Sequence, residues 1–193
     1  MILQLEEQKT YTPEEYLDFE INAETRHEYI HGAIIPMTGG TPEHNEIASI
    51  LNAALRVALK GKPYSIFVAD QRLWIPDRQL YTYPDVMVVP RPLQRQPGRT
   101  DTLTNPVAIA EVLSKSTKNY DRDEKFSAYR TIPSFQEYLL IDQYIPHVEH
   151  YSKTGDRRWI FTEYNDLDSS ISLAAIPFEI PLADLYEGVV WES

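Results

Sequence analysis

The strongest constraint on this chain is a set of short, almost wholly apolar runs into which single acids are placed. Val107-Ala108-Ile109-Ala110-Glu111-Val112-Leu113 is the most continuous of them. Tyr83-Pro84-Asp85-Val86-Met87-Val88-Val89 and Tyr138-Leu139-Leu140-Ile141 have the same character. Runs this short, partly β-branched and bounded by proline or polar residues, read as strands buried on both faces. Such strands need layers above and below them, which predicts a central sheet flanked by helices, an α/β fold. An ionised carboxylate in a buried strand costs several kcal/mol unless a partner compensates it. Asp85 and Glu111 on neighbouring strands therefore suggest a divalent-metal site, with Lys125 as a nearby positive charge.

The remaining segments supply the flanking elements. Thr12-Pro13-Glu14-Glu15 is a helix start, with threonine as N-cap, proline at the first position and Glu15 completing a capping box; this helix is expected to reach about Asn22. Arg26 to Met37 reads as a hairpin turning at His31-Gly32, with Glu28 at or just before its first strand. Thr41-Pro42-Glu43-His44 repeats the start signal. The helix after it carries Ile47, Ile50, Leu51, Ala54, Leu55 and Ala58 on one stripe and ends near Gly61. Tyr64 to Ile75 reads as a strand containing Asp70, Leu80 to Val89 includes the next, and Arg91 to Asn105 reads as a polar loop. Ser116 to Ile132 is a loop and then a helix facing the core with Phe126, Tyr129 and Ile132. His147 to Ser152 and Arg158 to Tyr164 form a second hairpin about Lys153-Thr154-Gly155-Asp156. A short strand at Ser170 to Leu173 and a proline-rich tail follow.

With 193 residues and no recognisable linker or repeat, a single domain spanning 1–193 is expected. No run approaches the ~20 apolar residues of a membrane span. The acidic start, Met1 to Gln8, lacks the order of a secretory signal, and the chain has no cysteine, so a cytoplasmic location is expected. The net charge of −11 argues against generic binding to nucleic acid. Two local clusters offset it: Arg91, Arg95 and Arg99, and Arg56, Lys60 and Lys62. Each is either a basic rim or a solvated surface. The five histidines show no close-set zinc spacing, and no GxGxxG, P-loop or GxSxG motif occurs.

Hydrolysis of a phosphodiester needs charge stabilisation at a phosphoryl oxygen and an activated water, both within reach of carboxylate-held Mg²⁺. Side chains alternate along strands, so Asp85 shares a face with Met87, and Glu111 with Ile109 and Leu113. Structural readings stand beside the catalytic ones. Pro84-Asp85 is an ordinary strand entry, Glu111 can pair with an arginine such as Arg130, and Lys125 can pair with Asp121 at (i, i+4) on a solvated face. Glu28 can be an edge charge beside Arg26, and Asp70 a bulge residue.

The resemblance to a known family is carried by Pro84-Asp85, by Glu111-Val112-Leu113-Ser114, and by Ser116-Thr117 with Asp121-Arg122-Asp123-Glu124-Lys125-Phe126. It extends to Thr12-Pro13-Glu14-Glu15-Tyr16, to His27-Glu28-Tyr29-Ile30-His31-Gly32, to Gly39 through Asn45, and to Pro133-Ser134-Phe135-Gln136-Glu137-Tyr138. Across most of its length the chain resembles the Uma family of restriction-endonuclease-like proteins, within the PD-(D/E)xK nuclease superfamily. The resemblance implies a restriction-endonuclease-like core, with Asp85 and Glu111 as metal ligands and Glu28 and Asp70 as supporting ones. The superfamily lysine expected two residues after the glutamate is Leu113 here, and the resemblance implies that Lys125 takes its role. The implied activity is Mg²⁺-dependent (Mn²⁺ as an alternative) hydrolysis of DNA by a homodimer, C2 pairing being the commonest assembly. The alternative is a catalytically inert nuclease fold serving DNA or protein binding.

Overall fold

The computed structural model describes residues 9–115 and 117–191. The N-terminal stretch Met1 to Gln8 and Ser116 of the family motif lie outside them. Helix α1 (Pro13–Ile21) begins as expected: Thr12 N–H donates to Glu15 Oε2 and Glu15 N–H to Thr12 Oγ1. It buries Tyr16 and Leu17 against the hairpin of β1 (His27–Ile30) and β2 (Ala33–Pro36), which turns at His31-Gly32. That hairpin carries Glu28, so the cap helps to hold one residue of the site. Thr12→Ala removes the reciprocal cap and is expected to cost ~1 kcal/mol in urea unfolding; an unchanged midpoint would show that packing alone fixes α1.

Helix α2 (Pro42–Ala58) starts at a Thr41 N-cap and buries Ile47, Leu51 and Leu55. The strands that follow are β3 (Tyr64–Val68), β4 (Arg72–Ile75), β5 (Leu80–Thr82), β6 (Val86–Pro90), β7 (Thr102–Leu103) and β8 (Ala108–Leu113). One helical run then comprises α3 (Lys118–Tyr120), a π-helical turn at Asp121–Lys125, and α4 (Phe126–Tyr129). The chain closes with β9 (Glu137–Asp142), β10 (Val148–Gly155), β11 (Arg158–Tyr164), β12 (Ser170–Leu173), β13 (Phe178–Pro181) and α5 (Leu182–Leu185).

Among the described residues the central sheet is β11-β10-β9-β8-β6-β3, with β8 and β9 parallel and the other neighbours antiparallel. Alternation sorts its side chains onto two faces. Val86, Val88, Ala108, Ala110 and Val112 pack with α2 and the C-terminal elements, whereas Met87, Ile109 and Leu113 pack with Ala128 and Tyr129 of α4. The fold is thus mixed α/β, with helices on both faces of the central sheet.

Three local expectations change. Tyr64 to Ile75 is two strands, broken at Ala69-Asp70, where Ala69 takes φ +44°. Nothing in an alanine announces a left-handed turn. β4 therefore leaves the central sheet and joins a second one, β2-β1-β5-β4-β7, and β7 takes its place there from within the presumed loop at 91–105. The last long hairpin turns at Asp156-Arg157, because β10 continues through a register shift between Lys153 and Gly155.

Candidate active site

Register brings the two acids together, Glu111 within β8 and Asp85 on the bend just before β6, one residue short of the buried strand expected to contain it. Val86 pairs with Ala110, which sets Asp85 beside Glu111 at the open end of β6 and β8. The acids are laced through backbone: Asp85 N–H donates to Glu111 Oε2 at 3.1 Å, and Val112 N–H to Asp85 Oδ2 at 2.8 Å. Glu111, whose side chain is 3% exposed, also accepts from Tyr129 Oη at 2.6 Å and from Lys125 Nζ at 3.2 Å. The ammonium of Lys125 further lies 3.1 Å from Asp121 and 3.4 Å from Glu28. The parallel connection from β8 to β9 delivers Asp121 and Lys125 on its π-helical turn, a backbone form found often at functional sites.

Asp85, Glu111, Lys125 and Glu28 therefore meet, and all four line one cavity of about 620 Å³. Asp70 does not join them. It sits on the turn after β3 at the rim, its side chain 84% exposed, 3.5 Å from Arg26. The (i, i+4) pair of Lys125 and Asp121 exists, but both side chains are buried and not on a solvated face. The partner of Glu111 is Lys125, while Arg130 lies over the Phe126 ring. Neither basic cluster, Arg91/Arg95/Arg99 or Arg56/Lys60/Lys62, lines the cavity.

Three contributors escaped the sequence reading as parts of the site. His44, on the first turn of α2, sets Nε2 3.1 Å from Asp85 Oδ2. Burial works to lower its pKa, but the Asp85 hydrogen bond and the charges of Asp85, Glu111 and Asp121 prevail and hold it above the ordinary value. Asp121 was visible as the residue four before Lys125 and within the stretch that carries the resemblance, with no role at the site assigned to it. Tyr129 carried no signal beyond its core-facing position, yet its hydroxyl fixes Glu111.

The cluster is short of positive charge. Glu28, Glu111 and Asp121 lie within 3.4 Å of the Lys125 ammonium, and Asp85, against His44, adds a further carboxylate beside Glu111. Burial pushes the Glu111 carboxyl up to about 8; Lys125 pulls against this, and the Asp85 and Asp121 charges add to it. Burial would lower Lys125, but Glu111, Glu28 and Asp121 together hold it well above its ordinary value, so it stays an ammonium at neutral pH. Among the described residues no three His, Asp or Glu side chains form a ready-made cage. Mg²⁺ needs none, since it keeps several waters and binds through one or two carboxylates. Hard oxygen donors with a surplus of negative charge fit that ion.

A pH dependence follows. An acid raised from 4.5 in the unfolded chain to about 8 binds extra protons when folded, so its contribution to stability falls as pH rises through that window and is level above it. A cation held by Glu111 must displace that proton. The gain in Tm on adding Mg²⁺ is therefore expected to be larger at about pH 8.5 than at about pH 6. Equal gains at both would exclude Glu111 from the groups that yield a proton.

Known proteins resemble this one along most of the chain. Residues 13–183 match the family described as Uma2, putative restriction endonuclease. The uncharacterized protein sll1609 of Synechocystis sp. is 46% identical over 159 residues, covering 80% of this chain and 88% of that protein. A second uncharacterized Synechocystis protein, slr1290, is 34% identical over 180 residues and 93% of each chain. The crystal structure of a putative nuclease belonging to DUF820 from Anabaena variabilis superposes with a TM-score of 0.76 at 19% identity, covering 93% of this chain and 99% of the other. That likeness shows that the two proteins share a fold. No helix among the described residues is long and apolar enough to cross a membrane.

Proposed function

The chain belongs to the Uma2 family, and on that premise we propose that it is a metal-dependent endonuclease that hydrolyses DNA phosphodiester bonds. The observation that carries the reading is the placement of Asp85 and Glu111 side by side, Glu111 accepting from the Asp85 N–H and Asp85 from the Val112 N–H, in one cavity beside a buried ammonium. In this reading Asp85 and Glu111 hold Mg²⁺ or Mn²⁺, and Glu28 shapes the site through Lys125. When bound, the ion supplies charge for the phosphoryl oxygens and acidifies a coordinated water.

The remaining work falls to side chains. Lys125, kept protonated by its carboxylate neighbours, is a hydrogen-bond and charge donor and not a base. It positions the attacking water and supports the charge that grows on phosphorus-bound oxygen. Tyr129 and the Asp85 N–H fix the rotamer of Glu111. His44 and the Val112 N–H do the same for Asp85, so both acids are held before substrate arrives. Asp70 has no direct part in this arrangement, and its place is at the cavity mouth.

The test is incubation of supercoiled plasmid with the protein and Mg²⁺ or Mn²⁺. Conversion to open circle that stops on chelation is the expected result. A plasmid left intact with either ion, together with no metal-linked rise in Tm, would overturn the proposal in favour of an inert binding fold.

A further inference from the structure

Resting on the nuclease reading, we infer that the cavity takes an unpaired nucleotide of a DNA strand, its base against the apolar wall of the β1–β2 hairpin and its phosphate toward Asp85, Glu111 and Lys125. The cavity of about 620 Å³ falls in the size range of small-molecule pockets, about 300–1,000 Å³. One wall is Ile30, Ile35, Pro36 and Met37. β2 is the outermost strand of its sheet, and Ile35 is 42% exposed. Ile35 also stands opposite Glu28 in register, and directly paired residues share a sheet face. Because Glu28 reaches Lys125, the apolar wall adjoins the charged floor within one residue pair. A nucleotide offers the two complements, a planar face for the apolar wall and an anion for the ammonium of Lys125.

Charge argues against a continuous duplex. Double-stranded DNA is held by several Lys and Arg contacts along its phosphates. Among the described residues, the Lys and Arg side chains lining this cavity are Arg26 and Lys125, and both are paired, Arg26 with Asp70 and Lys125 with three carboxylates. The other basic clusters lie elsewhere. With so few cations the cavity can hold about one phosphate and not a run of them. That leaves burial of the base against the apolar wall as the other source of binding, and only a base free of its partner can turn its face to that wall.

The experiment compares a labelled single-stranded oligodeoxynucleotide, its blunt duplex, and the duplex with an internal unpaired bubble, each with Mg²⁺ and with Mn²⁺. The single strand and the bubble are expected to be cut at least about tenfold faster than the duplex, with the cuts inside the bubble. Ile35→Ser, an exposed substitution, is expected to raise KM for the single strand several-fold with kcat little changed, as for lost ground-state binding. A duplex cut as fast as the single strand, or an unchanged KM in Ile35→Ser, overturns this inference and leaves the nuclease reading in place. No cutting of any of the three substrates overturns both.

Discussion

Lys125→Met is expected to destabilise the fold by about 3–5 kcal/mol, the cost of removing one partner from a buried ionic cluster. The ammonium faces Glu111, Asp121 and Glu28 within 3.4 Å, and its side chain is 8% exposed. Without it three buried carboxylates lose their common cation. The deficit has a pH signature. The folded state of the variant recovers by binding protons at those acids, so the loss should be greatest at about pH 8 and should shrink toward pH 5. Urea unfolding at the two pH values measures both numbers. A variant as stable as the parent at about pH 8 would mean that the cluster is neutralised in some other way, and that the charge assignments made for Glu111 and Lys125 are wrong.

Glu111→Gln and Asp85→Asn are expected to abolish metal-dependent nicking, each lowering the rate by about 10³-fold or more, the equivalent of several kcal/mol of lost charge stabilisation. Both replacements keep shape and an acceptor oxygen. In Glu111→Gln the side-chain amide oxygen can still receive the Tyr129 hydroxyl or the Asp85 N–H, and Lys125 retains Glu28 and Asp121. The fold should therefore survive, which circular dichroism and the metal-free Tm would report. The Tm gain on adding Mg²⁺ should be lost with the activity. Nicking that persists in Glu111→Gln would remove this acid from the site, whatever the family resemblance implies.

Much of the architecture was legible because it rests on local chemistry. Thr12 and Thr41, each followed by proline and glutamate, mark the starts of α1 and α2. His31-Gly32 marks a hairpin turn, and the apolar runs at Val107 and Tyr138 mark two buried strands, whose parallel pairing only the structure reveals. Asp85 and Glu111 stood out for the same reason: a charge in an apolar strand must be compensated somewhere. What was not legible was decided at a distance. The split of the presumed strand at Ala69-Asp70 moved Asp70 from the sheet to an exposed rim; a bulge at Asp70 was one reading of the sequence, but the left-handed φ that ends β3 falls on Ala69, which carries no turn signal.

The same contrast holds within the site. The sequence by itself determined that Glu111 would lie in a buried strand, that a lysine four residues after an aspartate would share a helix face with it, and that Glu28 would lie on a hairpin. Those are consequences of periodicity and of the cost of burying charge. Only the tertiary structure decided that this helix face is turned inward, and that the register of β6 on β8 sets Asp85 beside Glu111. It also placed His44, from a separate helix, against Asp85, and gathered three carboxylates about the Lys125 ammonium. Electrostatic energy depends on separation and on exclusion of water. Both are set by elements far apart in the chain, which come together only when the sheet and its flanking helices close around them.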